Sequence, residues 1–137
     1  MRNTFDIVDI IYLVLSANTS VTSSINGKVY KNQRPTNSDK QDIAIGSLPI
    51  NAEQIQRTVV NVNIHVPNLR IKINGVQDNS QPDLVKLNEV TTLVIGALKD
   101  KVFNDYWFDV QQQNLFASET TGEHYSNIRI DFYSENI

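Results

Sequence analysis

The chain has 137 residues, 40% of them hydrophobic and 20% charged, with only 5 Gly and 4 Pro. That supports one hydrophobic core and lies outside the composition of disordered, collagen-like or low-complexity chains, so a single domain over residues 1–137 is expected. The lack of cysteine excludes disulfides, thiolate metal sites and a cysteine nucleophile, and a net charge of -3 gives no overall attraction for nucleic acid or anionic membranes.

Segment 4–15 places Ile7, Ile11, Val14 and Leu15 at helical spacing, with Val8 beside them and Asp6 and Asp9 off the stripe. This predicts a first helix with Thr4 as its N-cap and both aspartates complementing the helix dipole. Its apolar part, 7–15, is interrupted by Asp9 and falls well short of the roughly 20 residues a spanning helix needs, so no membrane association is expected. With Asp6 and Asp9 inside it, the segment reads as part of the mature fold and not as a signal peptide.

Residues 17–24 are polar, and Asn26-Gly27 reads as a positive-φ turn leading into a short strand, Lys28-Val29-Tyr30. Segment 32–41, with Arg34-Pro35, is an exposed loop. Ile43, Ile45 and Leu48 mark a strand over 42–48 that ends near Pro49. Val60, Val62, Ile64 and Val66 then alternate with Asn61, Asn63 and His65, the period of a strand with one buried face, stopped by Pro67.

Leu69, Ile71 and Ile73 alternate with Arg70 and Lys72 up to Asn74-Gly75, and Val76-Gln77 returns, which predicts a small projecting hairpin. From Pro82 to about Val102 a second helix presents Leu84, Leu87, Val90, Val94 and Leu98, widened by Leu93 and Ala97; Gly96 reads as a point of close packing on the sheet. A closing hairpin follows, 106–116 and 125–133, turned at Thr121-Gly122. The expected class is α+β: a mainly antiparallel sheet of about five strands packed with two helices, in the order α-β-β-β-α-β-β, plus the extra arm.

Reaction chemistry is hard to assemble from these residues. His65 and His124 lack a second histidine at ligand spacing; His65 reads as a solvent-facing or interface side chain and His124 as an ordinary hairpin residue. The glycines form no phosphate-binding loop. Arg57, Arg70 and Lys72, and separately Lys28, Lys31, Arg34 and Lys40, are loosely basic runs that suit solvated faces or subunit salt bridges, and Tyr106-Trp107-Phe108 suits core and sheet edge. No catalytic, cofactor-binding or metal residue is assigned, no cofactor is expected, and the chain is read as a non-enzyme.

The run Gly27-Lys28-Val29-Tyr30, the polar loop, Asp42-Ile43-Ala44-Ile45, then Val62-Asn63-Ile64-His65-Val66-Pro67-Asn68-Leu69, a second amphipathic helix and a final Asn127-Ile128-Arg129-Ile130-Asp131-Phe132 strand resembles the tail terminator (tail-completion) proteins of long-tailed bacteriophages. The resemblance implies a virion protein, made in the bacterial cytoplasm, that forms a ring, commonly a hexamer, at the head-proximal end of the tail tube. Such a ring stops tube polymerisation and joins tail to head. Its partners would be its own copies, the tail tube protein and the head–tail connector protein, with DNA only passing through. A head-completion or neck connector protein of the same particle, and a small α+β binding module of unrelated type, remain as alternatives.

An isolated hairpin with an apolar side is unstable unless that side is covered. The subunit-interface candidates are therefore Leu69, Arg70, Ile71, Lys72, Ile73 and Val76 on the arm, with Arg34 and Lys40 in loop 32–41.

Overall fold

Two long alternating strands organise the chain, and the computed structural model describes it over residues 1–118 and 122–136. The elements run α1 (Thr4–Ser16), α2 (Thr19–Ser23), β1 (Val29–Lys31), β2 (Asp42–Ser47), β3 (Ile55–Pro67), β4 (Ile71–Ile73), β5 (Val76–Asp78), α3 (Leu84–Leu98), β6 (Lys101–Val102), β7 (Tyr106–Ala117) and β8 (Glu123–Glu135). The class is mixed α+β. The main sheet has six strands in the order β1-β2-β3-β8-β7-β6, and β4-β5 forms a separate two-stranded sheet.

β3 and β8 are the antiparallel centre. Their register pairs Val60 with Ile130 and Val62 with Ile128, so the apolar residues of both strands point to one side and their polar partners to the other. On the apolar side lie Ile7, Val8, Ile11 and Leu15 of α1 and Leu87, Val90, Val94 and Leu98 of α3, packed on Ile43, Ile45, Ile64, Phe108 and Phe132. No helix covers the opposite side among the described residues.

Several sequence expectations need correction. The N-cap of α1 is Asn3, whose side chain accepts from the Asp6 N–H while Asp6 accepts from the Asn3 N–H, a reciprocal capping box. Asp9 pairs with Lys31. The polar segment 17–24 holds α2, a single turn started by the Asn18 side chain and pinned by buried Val21, too short to show an apolar period. The main sheet has six strands, not about five, because the chain leaves α3 at Leu98, turns through Asp100 (φ 56°) and pairs Lys101-Val102 with Phe108-Trp107. The helix therefore ends before Val102.

Within α3, Leu84 is exposed and Gly96 packs on nothing, since a Cβ there would meet no atom within 4 Å. β1 pairs parallel to β2. β3 begins at Ile55, earlier than the apolar alternation shows, because Gln56 and Thr58 occupy core-facing positions. Gln56 is satisfied there: its Oε1 accepts from the Arg2 N–H at 2.9 Å, and its Nε2 donates to the Arg2 and Asn51 carbonyls at 3.0 and 2.9 Å. Arg2 also reaches Ser134 and Asp105 and lies over the Tyr106 ring, which ties the start of the chain to the far end of the sheet.

The two Asx-Gly signals part company. Asn74 and Gly75 both have positive φ (51° and 77°), as a tight two-residue hairpin requires. Gly27 does not; it is needed for space, because a Cβ would lie 2.0 Å from Asp42 Oδ1 and 2.4 Å from the Gln41 carbonyl oxygen. Of the expected Thr121-Gly122 turn, Thr121 lies outside the described residues and Gly122 has φ 99°. No helix among the described residues is long and apolar enough to cross a membrane.

Two substitutions test this packing. Gly27→Ala should lower stability by about 1–3 kcal/mol in urea unfolding, because backbone and a buried carboxylate must both move. Ile64→Asp, which puts a charge on the buried side of β3, should leave no folded protein by circular dichroism.

Candidate functional site

Loop 32–41 is polar and mostly exposed, yet one of its side chains turns inward. Arg34 is only 15% exposed; its Nη1 donates to Asp42 Oδ2 at 3.3 Å and its Nη2 pairs with Glu123 Oε1. Asp42, 1% exposed, also accepts from the Ser38 hydroxyl and from the Lys28 N–H at 3.2 Å. His65 Nδ1 lies 3.1 Å from the same Glu123 oxygen. One guanidinium thus closes the loop onto β2 and β8, with β3 joined through the imidazole.

Burial, and next the neighbouring Arg34 charge, push the His65 imidazole below its ordinary 6.5, against the opposing pull of Glu123 and Asp42. Each charge in this cluster has a partner, which is what makes its burial tolerable. Two expectations change here. Arg34 is a half-buried clamp and not a free surface cation, and His65 is held in an ionic cluster and is largely shielded from solvent. Lys40 is exposed.

The arm rises beside this cluster. Its base is tied down by the Asn68 N–H to the Gly122 carbonyl at 2.8 Å, the Leu69 N–H to the Gln81 carbonyl at 2.9 Å, and Asn68 Oδ1 against His124 Nδ1 at 2.6 Å. Asp78 accepts from the Ser80 N–H and hydroxyl, which hold its carboxyl below the usual range. Beyond the base, the strands pair only with each other among the described residues: Ile71 with Asp78, Lys72 with Gln77, Ile73 with Val76.

One side of the arm therefore carries Ile71, Ile73 and Val76, with Leu69 at its root. Val76 is 69% exposed, and Ile73 and Leu69 are exposed as well. Arg70 and Lys72 are exposed and form no ion pair among the described residues. All six arm candidates thus share one projecting element, whereas Arg34 belongs to the cluster. A cleft of about 630 Å³ separates the arm's base from loop 32–41, walled by Pro35, Asn37, Asp39, Asn68, Arg70 and Asn79.

The uncovered side of the sheet is polar and aromatic. Asn127 Nδ2 donates to Asn61 and Asn63 at 3.2 and 2.7 Å, and rows of rings flank this ladder: Trp107 against Tyr133, and Phe116 and His65 against Tyr125. Tyr106 and Phe108 point the other way and stack on Phe132, so the aromatic triplet divides between core and open face as the strand period requires. Among the described residues, no group of three or more His, Asp or Glu side chains is placed to hold a metal ion.

No protein-family model matches the chain, and no curated protein shows detectable sequence similarity to it. Among solved structures, the fold is similar to that of a chain in the virion of a native gene transfer agent particle. The TM-score is 0.59 at 10% sequence identity, with 91% of each chain covered. At that identity the likeness is one of fold.

The histidine cluster gives a pH test with a definite sign. Because the folded state holds His65 below 6.5, the unfolded chain takes up the proton first as pH falls. Stability is full above 6.5 and declines as pH drops through the interval between 6.5 and the lowered folded value. His65→Gln, which keeps a donor for Glu123, should flatten that decline in urea midpoints measured across the interval.

Proposed function

We propose that the chain is a structural protein of a phage-like virion, forming a ring of identical copies, commonly six, at the head-proximal end of a tail tube. The observation that carries the reading is the fold likeness, over 91% of both chains, to a chain of a gene transfer agent virion. The exposed apolar arm supports it, since a two-stranded hairpin with one apolar side calls for a surface to cover it.

The mechanism is steric. A ring seated on the last ring of the tube occupies the surface on which the next would add, and its other side meets the head connector. Its opening passes DNA as cargo. Nothing in this role needs a chemical step or a cofactor; shape and contact area do the work. In a cyclic assembly each contact is heterologous, so the arm of one copy meets a different patch on the next.

Purified protein added to growing tail tubes should arrest them at fixed length and sit at one end. A head-completion protein of the same particle would bind the isolated connector and leave tube growth unchanged. Ile71→Asp should keep the folded circular dichroism spectrum, because the arm lies outside the core, but should abolish assembly in sedimentation velocity. An unfolded variant, or one that still assembles, contradicts the role given to the arm.

A further inference from the structure

Among the described residues, β7 is paired along its whole length on one side only. β8 pairs with it from Tyr106 to Ala117, whereas β6 covers only Trp107 and Phe108. Over residues 109–117 no other strand lies on its outer side among the described residues. Two backbone donors there are taken by the side chain of the residue before: the Val110 N–H by Asp109 Oδ1 at 2.9 Å, and the Leu115 N–H by Asn114 Oδ1 at 2.8 Å. Since N–H directions alternate along a strand, Gln113 and Ala117 direct theirs the same way as Leu115.

Folded proteins guard such edges with lysine, proline, bulges or a covering element. This one has a single register shift between Val110 and Gln112, and residues 103–128 contain no Lys, Arg or Pro. Leu115 and Phe116 are exposed along it. The edge is thus acidic where charged, with Asp109 exposed, and apolar near its end.

The arm has the complementary character. Arg70 and Lys72 are exposed cations without ion-pair partners among the described residues; Ile73 and Val76 are exposed and apolar; and both arm strands have a free backbone edge. In its own chain the arm springs from beside Gly122, just before β8, yet belongs to a separate sheet and does not pair with β7 among the described residues.

We infer that the arm of one copy adds to the free β7 edge of a second copy of this chain. The side-chain caps on Val110 and Leu115 give way to carbonyls of the incoming strand, so those donors stay bonded throughout. Ile73 and Val76 cover Leu115, and Arg70 and Lys72 lie along an edge without cations. The two surfaces differ, so the contact repeats in one direction around a ring. The inference rests on the self-associating reading above and adds the surface that receives the arm.

The chain has no cysteine, so cross-linking starts without background. Val76→Cys should be combined in one chain with Gln113→Cys or with Ala117→Cys and oxidised; Val76→Cys with Phe5→Cys on exposed α1 serves as the control pair. The contact gives a covalent ladder that ends at the ring number for an edge pair, and none for the control. Mixing separate Val76→Cys and Gln113→Cys proteins gives their heterodimer.

Rings in micrographs without a ladder from either edge pair would refute the contact and leave the ring reading standing. A monomer bridged within itself would also refute the contact. Single chains in micrographs together with no ladder would overturn both.

Discussion

The structure depends on burial against one side of one sheet. β3 and β8 run thirteen residues each in register, with apolar side chains on a single side, and both long helices lie on that side. A slip of one residue would turn every buried valine and isoleucine toward water, so the register is fixed by the core itself. The other side is left to hydrogen bonds within the sheet, chiefly the Asn61, Asn63 and Asn127 ladder, and to ring stacking. Exposed apolar side chains occur along the outer edge of β7, at Leu115 and Phe116, and on the arm, at Ile73 and Val76.

The ionic cluster at the end of the sheet follows from the same layout. Asp42 opens β2 and Glu123 opens β8, and the antiparallel register brings both beside His65 near the end of β3. Two buried carboxylates there would repel each other, and Arg34 from a loop without secondary structure compensates them. A loop that reads as a free surface is therefore fixed at one point, next to the base of the arm. The arm's root is bonded to Gly122, Gln81 and His124, while its apolar tip stands clear.

Legibility in the sequence followed distance along the chain. The alternation of Val60 to Val66, the stripe of Leu87, Val90, Val94 and Leu98, and the Asn74-Gly75 turn are local patterns, and the structure keeps all three. The start of β3 was invisible because Gln56 is buried at a core position through bonds to Arg2, 54 residues away. The Arg34–Glu123 pair spans 89 residues and leaves no local trace. The two-residue strand β6 is too short to show an alternation, and Val102, four residues after Leu98, continues the helical spacing. Gly27 looked like a turn residue when its role is to admit the Asp42 carboxylate, a contact no spacing rule encodes.

In the proposed role the arm and the free edge are two halves of one contact, and a ring of copies would satisfy both. Its central claim is that this chain is completed by copies of itself. Electron micrographs of the purified protein, alone and with tail tubes present, test that claim most directly. The account expects closed rings of identical copies around a central opening in at least one preparation; single chains in both, with bare tube ends, would contradict it.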